Sequence, residues 1–164
     1  MRNLELSGGA TIDLSIHDID FVYSVFGEPV AFNSVYREYN GDDGYGLNDF
    51  ITSNLIYEGF TVNVTGTFYN AEIPFTAEFV AVFENGYVEL KSGKLVKNGE
   101  EINLDEVNND DTGVNVKGAG AYDEEIQYFI NCVKNGTEPS FVTPESSEAA
   151  LNLAIRLRTE GKKI

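Results

Sequence analysis

The feature that most limits the fold is a change of period along the chain. Between Pro29 and Gly99 the chain is made of successive runs in which apolar and polar residues tend to alternate, the pattern of half-buried strands, and the flanking stretches repeat at helical spacing. The runs "PVAFNSVYREY", "DFITSNLIYEG", "FTVNVTGTFYN", "FTAEFVAVFENG" and "YVELKSGKLVKNG" read as successive strands. Glu84-Asn85-Gly86 and Lys97-Asn98-Gly99 are turn signals, so neighbouring strands are expected to pair antiparallel. Ahead of them, residues 8–26 carry Ile12, Ile16, Ile19 and Tyr23 on one helical stripe, with Ser7 as N-cap, Gly27 at the stop and Pro29 blocking continuation. The paired glycines at its start predict close approach by another backbone or a ligand. After the strands, residues 123–134 form a helix with Ile126, Phe129, Ile130 and Val133 as its apolar face. A last helix begins at Thr143-Pro144, buries Ala150, Leu153, Ala154 and Leu157, and ends by Gly161. The order predicts an α+β fold: a mostly antiparallel, open-faced sheet with helices packed on one face, in a single domain over residues 1–164.

The two faces of that sheet differ. Phe75, Ala77, Phe79, Ala81 and Phe83 point one way, and Thr76, Glu78, Val80 and Val82 the other. In the preceding run Phe60, Val62, Val64 and Phe68 oppose Thr61, Asn63, Thr65, Thr67 and Tyr69. The second face is too polar for a core and rich in Thr, Val and Tyr, so it is either solvated or meets a copy of itself in a homo-oligomer.

A net charge of −16 repels phosphate backbones and anionic membranes, which argues against nucleic-acid and membrane partners. No stretch approaches the length of an apolar membrane span and no signal peptide is visible, so a cytoplasmic location is the default. Cys132, the one cysteine, excludes an internal disulfide and reads as a small core residue. The segments "YNGDDGYG" (Tyr39–Gly46) and "EVNNDDTGVNVKGAGAY" read as loops; their carboxylates lack the spacing of a calcium site.

The single histidine, His17, is the candidate for acid–base chemistry. On a helix, Asp13, His17, Asp20 and Ser24 fall along one polar seam beside the isoleucines. A carboxylate one turn away fixes an imidazole's tautomer and favours its protonated form, which suits proton exchange with a substrate hydroxyl. The same spacing also describes a surface His–Asp pair with no function. No second histidine or cysteine cluster completes a zinc set, and no metal site is expected. No G-x-S-x-G elbow supports a serine nucleophile.

The stretch Gly8-Gly9-Ala10-Thr11-Ile12-Asp13-Leu14-Ser15-Ile16-His17-Asp18-Ile19-Asp20, followed by Gly27-Glu28-Pro29-Val30, resembles the opening of the substrate domain of the Gfo/Idh/MocA oxidoreductases. These are the relatives of glucose–fructose oxidoreductase and inositol dehydrogenase. The tail, "YDEEIQYFINCVKNGTEPSFVTPESSEAALNLAIRLRTEGKK", is similar to the family's two closing helices.

The resemblance implies that His17 exchanges a proton with a sugar or polyol hydroxyl. It implies that Asp13 orients that histidine and touches the substrate, and that Asp20 supports substrate binding. Hydride would pass to NAD or NADP, and the open sheet face would make oligomer contacts. The family's dinucleotide-binding half is not found in these residues: no G-x-G-x-x-G follows a strand, and no Glu-Lys-Pro occurs. The expectation is therefore the C-terminal, substrate-binding and oligomerisation half of an NAD(P)-dependent oxidoreductase, which alone binds no dinucleotide tightly and turns nothing over. Two other readings stay open: a non-catalytic dimerisation or ligand-binding module, and an acid–base enzyme without a cofactor.

Overall fold

The computed structural model describes residues 7–40, 46–68, 74–103 and 121–164. Most of the Tyr39–Gly46 loop and nearly all of the loop that follows Asp105 lie outside the described residues. The chain divides into two compact units, Met1–Glu72 with Phe141–Ile164, and Ile73–Ser140.

The first unit holds a four-stranded sheet in the order β3-β2-β1-β8. Strands β1 (Ala31–Asn40), β2 (Gly46–Tyr57) and β3 (Phe60–Thr67) form an antiparallel meander, and the two-residue β8 (Lys162–Lys163) adds parallel to β1. Helix α1 (Ser15–Phe26), with a π-helical lead over Ala10–Leu14, packs on one sheet face beside α3 (Pro144–Thr159). Ile19, Val22, Ile51, Leu55, Tyr57, Val64, Leu153, Ala154 and Leu157 form the buried core, with Ile12, Ile16 and Tyr23 half-buried against it. The expected isoleucine stripe is thus on the core side, and so is the whole predicted stripe of α3.

Local punctuation explains where these elements stop. Gly27 adopts φ 74° and its N–H donates to the Tyr23 carbonyl, ending α1 ahead of the buried Pro29. At α3, Thr143 and Ser146 exchange side-chain and backbone hydrogen bonds in a capping box with Pro144 at the first helical position. The expected Ser7 N-cap is displaced: α1's lead begins after Gly9, and the Ser7 hydroxyl instead accepts from the Gly9 N–H at 3.1 Å.

The second unit contains β4 (Phe79–Phe83), β5 (Gly86–Lys91), β6 (Lys94–Lys97) and β7 (Glu100–Glu101) in one antiparallel meander, and helix α2 (Ala121–Asn135). The α+β class and the turn signals hold, but the strands divide between two sheets. The run "YVELKSGKLVKNG", expected as one strand, is a hairpin, because Ser92 and Gly93 take up φ 51° and 76° and reverse the chain. The strand expected from Phe75 begins only at Phe79. Within it Phe79 and Ala81 are half-buried while Val80 and Val82 are exposed, as the alternation predicts, but Phe83, expected on the buried side, is exposed at the strand's end. Cys132 is buried, but the expected apolar face of α2 leaves Ile126, Phe129 and Val133 more than half exposed.

Candidate functional site

The three candidate residues all sit on the helix that opens the first unit. Asp13 lies in the π-helical lead and is exposed, His17 is exposed in the first turn of α1, and Asp20 is half-buried one turn further. Ser24 turns back on its own helix, its hydroxyl donating to the Phe21 carbonyl at 2.8 Å, and Phe21 is 52 % exposed on the helix surface. Among the described residues His17 makes no hydrogen bond or ion pair with Asp13 or Asp20. Its electrostatic neighbour is Asp18, whose carboxyl is held above its ordinary value by desolvation and drawn part of the way back by the His17 charge.

What holds this helix in place is a residue that the periodicity does not reveal. Asn48 is fully buried at the start of β2. Its Oδ1 accepts from the Thr11 backbone N–H at 3.0 Å and from the Thr11 hydroxyl at 2.7 Å. Its Nδ2 donates to the carbonyls of Arg37 at 3.1 Å and Phe50 at 3.3 Å. One amide thus binds four polar groups, two at the helix start and two on the strands.

Asn48 stands at a defect in the sheet. The β1–β2 register shifts between Arg37 and Glu38: Arg37 pairs with Phe50 and Glu38 with Asn48, so Asp49 is the extra, bulged residue. Asp49 is 5 % exposed and is gripped by Arg37, with Nε to Oδ1 at 3.1 Å and Nη2 to Oδ2 at 2.5 Å. A second defect faces it. The Ser15 N–H donates to the Ala10 carbonyl, a five-residue step, which makes the first turn of the helix a π turn.

This contact explains Gly9, while a Cβ at Gly8 would meet the Ile12 side chain at 2.5 Å. Gly9 has φ 71°, and a Cβ there would meet the Asn48 carbonyl oxygen at 2.5 Å, so only glycine lets the helix start approach β2. The close approach expected for this pair is to a backbone at Gly9 and to a side chain at Gly8. The Gly66 position on β3 is equally crowded: a Cβ would fall inside the Ser15 hydroxyl.

Elsewhere Glu28, of the Gly-Glu-Pro-Val segment, accepts from Arg156 Nη1 at 2.6 Å, and the Arg156 guanidinium lies 5.0 Å from the centroid of the Phe32 ring. Among the described residues no group of three His, Cys, Asp or Glu side chains converges closely enough to hold a metal ion. No helix among them is long and apolar enough to cross a membrane. A shallow hollow of about 250 Å³ between Glu78–Val80 and Glu89–Lys91 belongs to the second unit and contains none of the candidate residues.

The family model described as the GFO/IDH/MocA C-terminal domain matches residues 1–89, which include the whole of this site. No curated protein matches the chain. Among solved structures, a UDP-N-acetylglucosamine 3-dehydrogenase from Acidithiobacillus ferrooxidans superposes with a TM-score of 0.71 at 19 % identity, covering 98 % of this chain and 49 % of that one. An oxidoreductase from Thermotoga maritima gives 0.68 at 19 % identity, over 93 % of this chain and 42 % of its own. A biliverdin reductase from Synechocystis, solved with biliverdin and NADP+, gives 0.68 at 15 % identity, over 96 % and 48 %. The chain spans about half the length of these proteins and shares their fold. It belongs to the Gfo/Idh/MocA oxidoreductase family, and its sequence and fold correspond to the C-terminal domain of that family's enzymes.

Proposed function

We propose that this chain is the substrate-binding and oligomerisation half of an NAD(P)-dependent oxidoreductase acting on a sugar, polyol or related hydroxy compound. The observation that carries the reading is the placement of His17: the one imidazole of the chain is solvent-exposed on a helix whose root is clamped to the sheet by Asn48. An exposed imidazole on a rigid element can meet a substrate hydroxyl and exchange its proton with it. Asp13, exposed one turn before it, is the carboxylate to orient the ring once substrate excludes water, and Asp20 supports the same edge. Gly8 packs against Ile12 and Gly9 against Asn48, so this reading assigns the pair to packing. The nicotinamide, which accepts or returns the hydride, is bound by the rest of the parent enzyme in this reading.

The open face of the first sheet supports self-association. Asn33, Asn54, Asn63, Thr52 and Thr65 already hydrogen-bond to one another across three strands at 2.8–3.3 Å. A face whose polar groups are paired laterally loses less on being covered than one whose groups need water.

The deciding experiment is His17→Ala in the full-length parent. Turnover should fall by roughly 10²–10⁴, the usual contribution of a positioned acid–base group, while the variant stays folded. Unchanged turnover would remove His17 from the reaction and leave the non-catalytic module as the better reading.

A further inference from the structure

We propose that Asn48 and Thr11 are positioning residues for His17: they couple the bulge in the sheet to the π turn of the helix and so set where the imidazole stands. The functional weight of this inference rests on the reading of His17 above, but its structural content does not.

Each defect inserts one residue into an otherwise regular element. The bulge places Asp49 out of register, and the π turn adds one residue between Ala10 and Ser15. Either one interrupts the regular hydrogen-bond ladder of its own element. Here they face each other, and the Asn48 side chain bridges them, binding Thr11 inside the π turn and the carbonyls of Arg37 and Phe50 on both sides of the bulge. The extra residue of the π turn changes the rotation of everything before it relative to everything after it. Asp13 lies within that turn and His17 follows it by two residues, so their relative direction depends on whether the turn is π or α. Asp49, tied to Arg37 by two hydrogen bonds, keeps the bulge itself from sliding.

The test uses the chain's single histidine, whose Cε1–H proton gives one unambiguous NMR resonance. Thr11→Val keeps the side-chain shape and removes only the hydroxyl that donates to Asn48. It should move the His17 resonance and speed hydrogen exchange at the Ser15 amide by roughly tenfold, the equivalent of one lost hydrogen bond. Thr11→Ser, which restores the hydroxyl, should return both to the wild-type values. Asn48→Asp, which keeps an acceptor for Thr11 and removes both donors to the bulge, should move the same two signals. Thr65→Val removes a hydroxyl from the open face of the same sheet and should leave both unmoved. If Thr11→Val and Asn48→Asp leave the His17 resonance and the Ser15 amide as in the wild type, the coupling does not exist. If the signals move while His17→Ala leaves the parent enzyme fully active, the coupling stands and the catalytic reading fails.

Discussion

Ser15 and Gly66 make the sharpest test of how closely the helix root fits the sheet. The Ser15 side chain is 1 % exposed, and its hydroxyl has no hydrogen-bond partner among the described residues. An alanine methyl at Gly66 would overlap that hydroxyl while lying 3.3 Å from the Ser15 Cβ. Gly66→Ala forces either the strand or the helix start to move, and such overpacking costs about 1–3 kcal/mol, partly offset by about 0.4–1 kcal/mol from the stiffer unfolded chain. Ser15→Ala should do the opposite. It removes an unpartnered buried hydroxyl, a penalty of about 1–3 kcal/mol, and places the best helix former at the first α-helical position. The double variant should be more stable than the sum of the two single effects predicts, by about 1–2 kcal/mol, because the overlapping atom has gone. Urea unfolding followed by circular dichroism gives all four corners of the cycle. Additive single effects would mean that the two side chains do not meet. A Ser15→Ala variant less stable than wild type would show that the hydroxyl has a partner after all.

Acid stability should carry the signature of Glu38. Its carboxyl is held below the ordinary glutamate value of 4.5, first by the hydrogen bond from Lys163 and then by the charges of Lys163 and Arg158. A lowered carboxyl stabilises the fold above that value and loses its contribution as the pH falls through the lower folded value. Glu38→Gln should therefore flatten the stability profile below about pH 4.5 and leave its shape near neutrality unchanged, as read by thermal melts across the acid range; an unchanged acid limb would contradict the assignment. On the open sheet face, Asn54→Arg and Asn63→Arg together would bring like charges face to face across a symmetric contact. The pair should shift the sedimentation coefficient toward the monomer with melting behaviour retained, and an unaltered coefficient would rule out this face as the contact.

The strand alternation, the stripe of α3 and both asparagine turns were legible because each rests on a period that runs unbroken for several residues. Val62 and Val64 alternate with Thr61, Asn63 and Thr65, and the burial follows that alternation residue by residue. His17 and Asp13 were legible as candidates from residue type and from the motif around them. The division into two sheets was not, since alternation says which way a side chain points and nothing of which strands share a ladder. The hairpin at Ser92-Gly93 was not legible, because Asn-Gly is the strong turn signal and Ser-Gly a weaker one that reaches the same left-handed turn.

Asn48 was illegible for a deeper reason. Reading by period assumes that the period is constant, and the residues that anchor this site occupy the two places where it changes. A π turn hides inside an otherwise helical stripe, and a bulge hides inside an alternating one, each as a single misplaced residue that a period-based reading absorbs as noise. The local clues were present: two adjacent glycines at a helix start, and an Asn-Asp pair ahead of an apolar strand. Neither means anything alone, because the amide of Asn48 is useful only if a π turn presents Thr11 to it, and the π turn persists only if something answers its displaced groups. The site is thus encoded as a pair of compensating irregularities that are 37 residues apart in sequence. The prospect of finding such sites from sequence lies in asking which irregular residue in one element could satisfy an irregular residue in another.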